Sequence, residues 1–383
     1  MKRYRSIDFF RGICMCVMIG GHLFDWWLTE NDYWFFLFLK NFFGIWAATG
    51  FIFLSGLSTK IAYKRGLEMG NKEDKSFMKK ARNLYMLRAF FILIIALIYN
   101  TCVAIAINDL TWIWTWFVLQ TIAVSLIMAW PLLKTTKIVR ITIAIMCFVV
   151  NQLLFVLLFP YQGYPNVYGV LYHIIFNPID QYIILSYFSV FLVGTVIGET
   201  LYDIGQIGDK TEMRKVLKSK FLVIILFGVF IMIIGIVYDF PMFFSYGSFQ
   251  SIYYSLGLVI IILSVLILNE ELEIITTKKR YPCFSYYSYY SFTIYLAHNP
   301  LYFLFYRQLN IPLCIIAEII TVALMTWLLS IISKKIGKKA SLKYGITAFS
   351  LFLVMKFEKK KKIKQRKKKK KTKMKNLENI NQN

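Results

Sequence analysis

Residues 7–28 read IDFFRGICMCVMIGGHLFDWWL. The stretch is long enough to cross a bilayer, which takes about 20 mainly apolar residues. It nevertheless carries Asp8, Arg11, His22 and Asp25. On a helix turning about 100° per residue, these four side chains fall in one stripe about 100° wide, with Met15 and Met18 among them. Hydrocarbon offers such groups no hydrogen bonds, so the stripe must face protein or water. This one segment predicts a bundle of membrane helices around a polar interior.

The same apolar pattern recurs along the chain. Candidate spans of about 20 residues lie at 7–28, 36–60, 84–107, 112–133, 138–159, 181–201, 220–240, 250–269, 285–306 and 312–333. Of the 383 residues 58% are hydrophobic and 17% charged, and mean hydropathy is +0.57. Soluble domains run about 45–50% apolar and about 25% charged. The composition therefore excludes an ordinary soluble enzyme, a disordered chain and a secreted disulfide scaffold. The expected fold class is all-α: a polytopic membrane bundle of about ten helices with both termini cytoplasmic.

Charge placement supports that topology. The net charge is +25, a value that elsewhere would suggest nucleic acid. Here 43 of the 45 Lys and Arg residues fall in segments that alternate to the inner side, leaving only Lys40 and Arg307 outside. Basic residues concentrate in just this way on the cytoplasmic side of membrane proteins. The expected organisation is a transmembrane domain over 1–340, an interfacial helix over 341–357 and a disordered polybasic tail over 358–383. The tail is expected to lie against anionic lipid headgroups at about 1 kcal/mol per basic residue. The first segment lacks a small-x-small cleavage site and is expected to be retained. The outer connection 160–180, PYQGYPNVYGVLYHIIFNPID, is expected to lack helix and to rest on the membrane surface. The six cysteines form no CxxC pair and read as small apolar fillers. No Walker loop, HExxH, GxSxG or zinc spacing occurs, and no metal site is expected.

Ionisable side chains inside a membrane usually serve function. His22 lies about 22 Å above Ile7 at the helical rise, and Asp25 follows at i+3, placed to hold the imidazole. A carboxylate–histidine pair suits general-base work on a hydroxyl or amine. In the ninth segment, SYYSYYSFTIYLAHNPLYFLFY (285–306), His298 reaches a similar depth and shares a face with Tyr287, Ser291, Tyr295 and Tyr302. Pro300 is positioned to kink that helix. A structural role is the alternative for each histidine: a buried ring satisfied by its neighbours. Asp8 and Arg11 read equally as an ion pair anchoring the first helix. His173 reads as an interfacial surface residue, and Arg88 and Glu199 as side chains that snorkel. Gly194 and Gly198, in GTVIG, form a small-residue face for close helix packing.

Several of these stretches resemble a known family. Arg5-Ser6-Ile7-Asp8-Phe9-Phe10-Arg11-Gly12, followed by Met18 and His22, is similar to the first-helix signature of transmembrane acyltransferases. Gly50-Phe51-Ile52-Phe53-Leu54-Ser55-Gly56-Leu57-Ser58 resembles the second helix of one branch, the heparan-alpha-glucosaminide N-acetyltransferase catalytic-domain family. Phe191-Leu192-Val193-Gly194 with Gly198 resembles its central helix, and Ser291 to His298 its closing pattern. Acyltransferase-3 and YeiB-like membrane proteins share parts of these motifs. The resemblance implies acetyl transfer from cytosolic acetyl-CoA to a sugar reached from the far side, without implying heparan as the acceptor. In the lysosomal enzyme the catalytic histidine follows helix one; here that stretch is LTENDYW (28–34), with no histidine.

The expected function is thus a multi-pass membrane acyltransferase of the cell membrane that acylates a sugar or lipid-linked glycan. His22, Asp25 and His298 are the catalytic candidates. Asp8, Arg11 and Arg88 are the candidates at the entrance for an acyl-CoA co-substrate, since Lys and Arg bind phosphate well. The bilayer, anionic headgroups, the glycan acceptor and a second copy of the chain, as a homodimer, are the partners considered. A transporter or flippase with a buried polar path, and a non-catalytic scaffold, are the other function classes.

Overall fold

The computed structural model describes residues 4–40, 45–70, 75–177, 182–238, 249–273, 282–357 and 359. The helices in chain order are α1 (Arg5–Trp27), α2 (Tyr33–Leu39), α3 (Ile45–Met69), α4 (Lys75–Ala106), α5 (Val118–Leu132), α6 (Lys137–Leu158) and α7 (Val167–Phe176). They continue with α8 (Ile184–Ile204), α9 (Lys210–Tyr238), α10 (Phe249–Leu272), α11 (Pro282–Tyr289), α12 (Ser291–Ala297) and α13 (Ile311–Lys335). Among the described residues there is no strand, only one isolated bridge between Leu28 and Leu309. The all-helical, polytopic membrane architecture stands.

Eight helical stretches among the described residues are long and apolar enough to cross a membrane. The two other expected segments are not single apolar rods. Segment 36–60 is shared between α2 and α3, and segment 285–306 is divided among α11, α12 and a short 3-10 turn, Asn299–Phe303. Pro300 falls in the first turn of that 3-10 stretch, where its missing N–H is tolerated. An earlier break, at Tyr290, is announced by neither Pro nor Gly.

The expectation of a helix-free connection at 160–180 is corrected, because α7 occupies Val167–Phe176. Pro160, Gly163 and Pro165 precede the helix and Pro178 comes after it in the sequence, while Gly169 is accommodated in its first turn. The Asn166 side chain accepts from the Gly169 N–H at 2.8 Å, the bond expected of an N-cap. A helix also covers 342–357, exposing Phe349, Phe352, Met355 and Phe357, and Phe349 lies against Phe91 of α4 at 5.2 Å between centroids. The polybasic tail expected over 358–383 lies outside the described residues, apart from Lys359.

Helix α8 is central and α13 peripheral: 78% of the apolar window of α8 is buried inside the protein, against 6% for α13. Leu222, Leu226 and Phe230 on α9, and Ile319, Leu324 and Trp327 on α13, stand exposed. Apolar faces of that extent belong against lipid. The α3–α8 contact explains GTVIG. A Cβ on Gly194 would strike the Phe53 carbonyl oxygen and one on Gly198 that of Leu57, while one on Gly56 would strike that of Phe191. The helices touch backbone to backbone, the packing that small residues permit in membranes.

Candidate functional site

Residues 26–32 and 301–311 are sewn together at the end of α1 farthest from Arg11. The Trp27 indole N–H donates to the Leu301 carbonyl at 2.8 Å. The backbone N–H groups of Arg307 and Leu309 donate to the carbonyls of Trp26 and Trp27 at 2.9 and 2.8 Å. Thr29 N–H returns a bond to Leu309 at 2.9 Å, and the Asp32 carboxylate accepts from the Ile311 N–H at 3.1 Å. This clip holds α1 beside the broken ninth segment.

The clip brings the two histidines together, as the matched depths predict. The His22 ring centroid lies 5.2 Å from that of His298 and 5.2 Å from that of Trp26. Trp26 and His298 are 5.6 Å apart and stacked at 18°, and Tyr295 lies 6.0 Å from His298. His298 is 2% exposed, and its Nδ1 lies 3.2 Å from the Ile294 carbonyl oxygen. A carbonyl only accepts, so that contact assigns the proton to Nδ1 and leaves the lone pair on Nε2. Nε2 is buried and has no hydrogen-bond partner among the described residues. A buried acceptor is thus left open beside a second imidazole.

The expected Asp25–His22 hydrogen bond is replaced by another. Asp25 accepts from the Tyr33 hydroxyl at 2.6 Å, while His22 is held by ring stacking. At i+3 the two side chains point about 60° apart, and Tyr33 comes in on the Asp25 side. The Arg307 guanidinium lies 4.4 Å from the Tyr33 ring centroid, within cation–π range. Burial and the neighbouring Asp25 carboxylate push the Tyr33 phenol up to about 12, so it remains a proton donor at neutral pH. Tyr33 belongs to the LTENDYW stretch, and its place in the site was not read from the sequence.

Nearer the opposite end of α1, Arg11 donates to Ser58 of α3 at 2.6 Å and contacts Asp8 at 3.3 Å. It also reaches Ser288 of α11 at 3.5 Å, and Ser288 donates to Asp8 at 3.3 Å. The Asp8–Arg11 pair thus joins three helices, and Ser58 is the last residue of the quoted second-helix motif. Arg88 is placed apart, half-buried on α4 beside Tyr85. Glu199 does not snorkel: its carboxylate meets Lys60 at 3.1 Å, Lys64 at 2.8 Å and Arg140.

A cavity of about 520 Å³ adjoins His22, lined also by Asp25, Tyr33, Lys40, Tyr295 and Glu318 among others. That volume suits a small ligand or the end of a larger one. Glu318 of α13 was also missed in the sequence; its signal was a lone acidic residue in the apolar segment 312–333. The site therefore offers paired imidazoles, a carboxylate tied to a phenol, a free-standing carboxyl and aromatic walls.

Searches among curated proteins and among solved structures give no match. Residues 3–227, more than half of the chain, match the family model described as heparan-alpha-glucosaminide N-acetyltransferase, catalytic, and with its apolar helices this makes the chain a multi-pass membrane member of that acetyltransferase family.

Proposed function

We propose that the protein transfers an acetyl group from acetyl-CoA at the cytoplasmic side to a sugar or lipid-linked glycan reached from the opposite side. The observation that carries this reading is the His22–His298 pair, 5.2 Å between ring centroids, beside a cavity of about 520 Å³. The acceptor hydroxyl or amine attacks the thioester carbonyl carbon, and the C–S bond breaks. The imidazole pair takes the acceptor's proton and returns it to the departing thiolate, so the pair ends as it began. His22 faces the cavity and meets the acceptor; His298 stands behind it and assists through its open Nε2. Asp25, held by Tyr33 at 2.6 Å, lines the same cavity beside His22.

Arg11, Asp8 and Arg88 shape the donor entrance in this reading. Arg11 and His22 are eleven residues apart, about 16 Å at the helical rise, a distance the pantetheine arm of CoA can bridge. Arg88 has no acidic partner among the described residues and suits a phosphate. The basic tail would hold this face to anionic headgroups, and the cell membrane is the expected location.

The test is titration of the purified protein with acetyl-CoA, followed by thiol release in the presence of sugar acceptors. Binding of acetyl-CoA, and loss of acetyl transfer in His22→Ala without loss of donor binding, is the expected result. Absence of donor binding, or full transfer by His22→Ala, would overturn the reading.

A further inference from the structure

Glu318 sits where an acidic residue has no structural reason to be. It lies on α13, the helix most exposed to lipid, on the inward edge that also carries Cys314, Val322 and Met325. Among the described residues no group donates a hydrogen bond to its carboxyl. Acidic groups at such depth pair with one another or mark a path for a polar ligand.

The place of Glu318 is built by α1. One carboxyl oxygen lies where a Cβ on Gly20 would stand, so any larger residue there would displace it. The next residue, Gly21, has open space where its Cβ would be. Two consecutive glycines thus seat the carboxyl and leave room beside it, in the cavity that His22 also lines. Helix propensity alone disfavours this pair by about 1 kcal/mol per glycine relative to alanine, so the gap has a use. The cavity's charged groups are Asp25 and Glu318 against Lys40, and Tyr99, Phe117, Tyr182 and Tyr295 contribute aromatic walls.

We propose that Glu318, seated on Gly20, is the hydrogen-bonding group of a subsite for an uncharged polyhydroxylated ligand, such as a sugar headgroup. Hydroxyls of the ligand donate to the carboxyl, and aromatic rings cover its apolar C–H faces. A phosphate or sulfate end lacks the hydroxyl hydrogens that the Glu318 carboxyl accepts and adds negative charge beside Asp25. Naming this ligand as the acetyl acceptor rests on the acyltransfer reading above; the binding itself does not.

The experiment is equilibrium binding of radiolabelled octyl β-glucoside to the full chain in lipid nanodiscs, with no acyl donor present. Wild type is expected to bind it saturably, and to bind its 6-phosphate about tenfold more weakly. Glu318→Leu, which lipid tolerates, should weaken octyl glucoside binding about tenfold. Gly20→Ala, which keeps the carboxyl but moves it, should weaken binding to a similar degree. Gly66→Ala, a substitution into open space on α3, should leave it unchanged. Absence of saturable binding to wild type, equal binding of the 6-phosphate, or unaltered binding by the two site variants would each overturn the proposal. The donor is absent throughout, so failure of acetyl transfer and failure of this subsite read out separately.

Discussion

Two regions of this molecule bury charged or polar groups, and they treat them in opposite ways. Between α3, α6 and α8, every charge is answered. Glu199 meets Lys60, Lys64 and Arg140, and Asp203 meets Lys137 at 2.8 Å and Lys64 at 3.6 Å. Arg140 also donates to Thr195 at 2.9 Å, and Lys60 to the Leu133 carbonyl at 2.7 Å. Around α1, α12 and α13, His298 Nε2 and the Glu318 carboxyl are left open at or beside a cavity. A satisfied network locks helices together. An unsatisfied one keeps its capacity for a ligand or a proton, and that difference separates a structural cluster from a site.

The largest expected effect tests the structural side. Glu199→Ala leaves Lys60 and Arg140 buried without their counter-charge, and removing one partner of a buried pair costs about 3–5 kcal/mol. The folded fraction in detergent, read by size-exclusion and thermal melting, should collapse. A variant that melts like wild type would show that this network carries little of the fold.

Next come the histidines, where the order of effects reverses. His22→Ala and His298→Ala should lower acetyl transfer by about 10²–10⁴, with melting temperature nearly unchanged. If either variant lost stability instead of rate, the comparison between the two regions would fail. Because the pair acts as a unit, the double variant should be scarcely slower than the worse single one.

Smaller effects sharpen the picture. Arg88→Ala should raise the acetyl-CoA concentration for half-maximal rate about tenfold through loss of a charged phosphate contact, with the maximal rate kept. Tyr33→Phe removes the 2.6 Å bond to Asp25 and should slow transfer by about threefold to tenfold, with donor binding unaltered. No effect of Tyr33→Phe would mean that the Asp25–Tyr33–Arg307 arrangement only closes the end of the bundle.

Much of this was legible because helix geometry is so regular. The stripe on α1 follows from residue spacing alone, and so does the inward turn of His22. The meeting of His22 and His298 followed from depth and direction, before any contact was known. What escaped had a long-range cause. Asp25 turned to Tyr33 because the chain after α1 folds back, which residue spacing on α1 cannot report. The break at Tyr290 falls in a run of Ser and Tyr with no Gly or Pro to mark it. Glu318 was lost among aliphatic neighbours, and its meaning appears only once Gly20 lies against it. Glu199 looked like a side chain at a helix end until Arg140, 59 positions away, closed on it. His298 and Glu318 also lie beyond the residues that match the family model, 3–227, and of the two only Glu318 needed the structure to join it to His22.

The most direct measurement uses proteoliposomes enclosing methyl β-glucoside, with acetyl-labelled acetyl-CoA added outside. Label should appear on the enclosed sugar with wild-type protein, and fall at least about a hundredfold with His22→Ala or His298→Ala at equal melting temperature. Undiminished labelling by those variants, or passage of the sugar across the bilayer with no acetyl donor present and no labelling when donor is added, would contradict it.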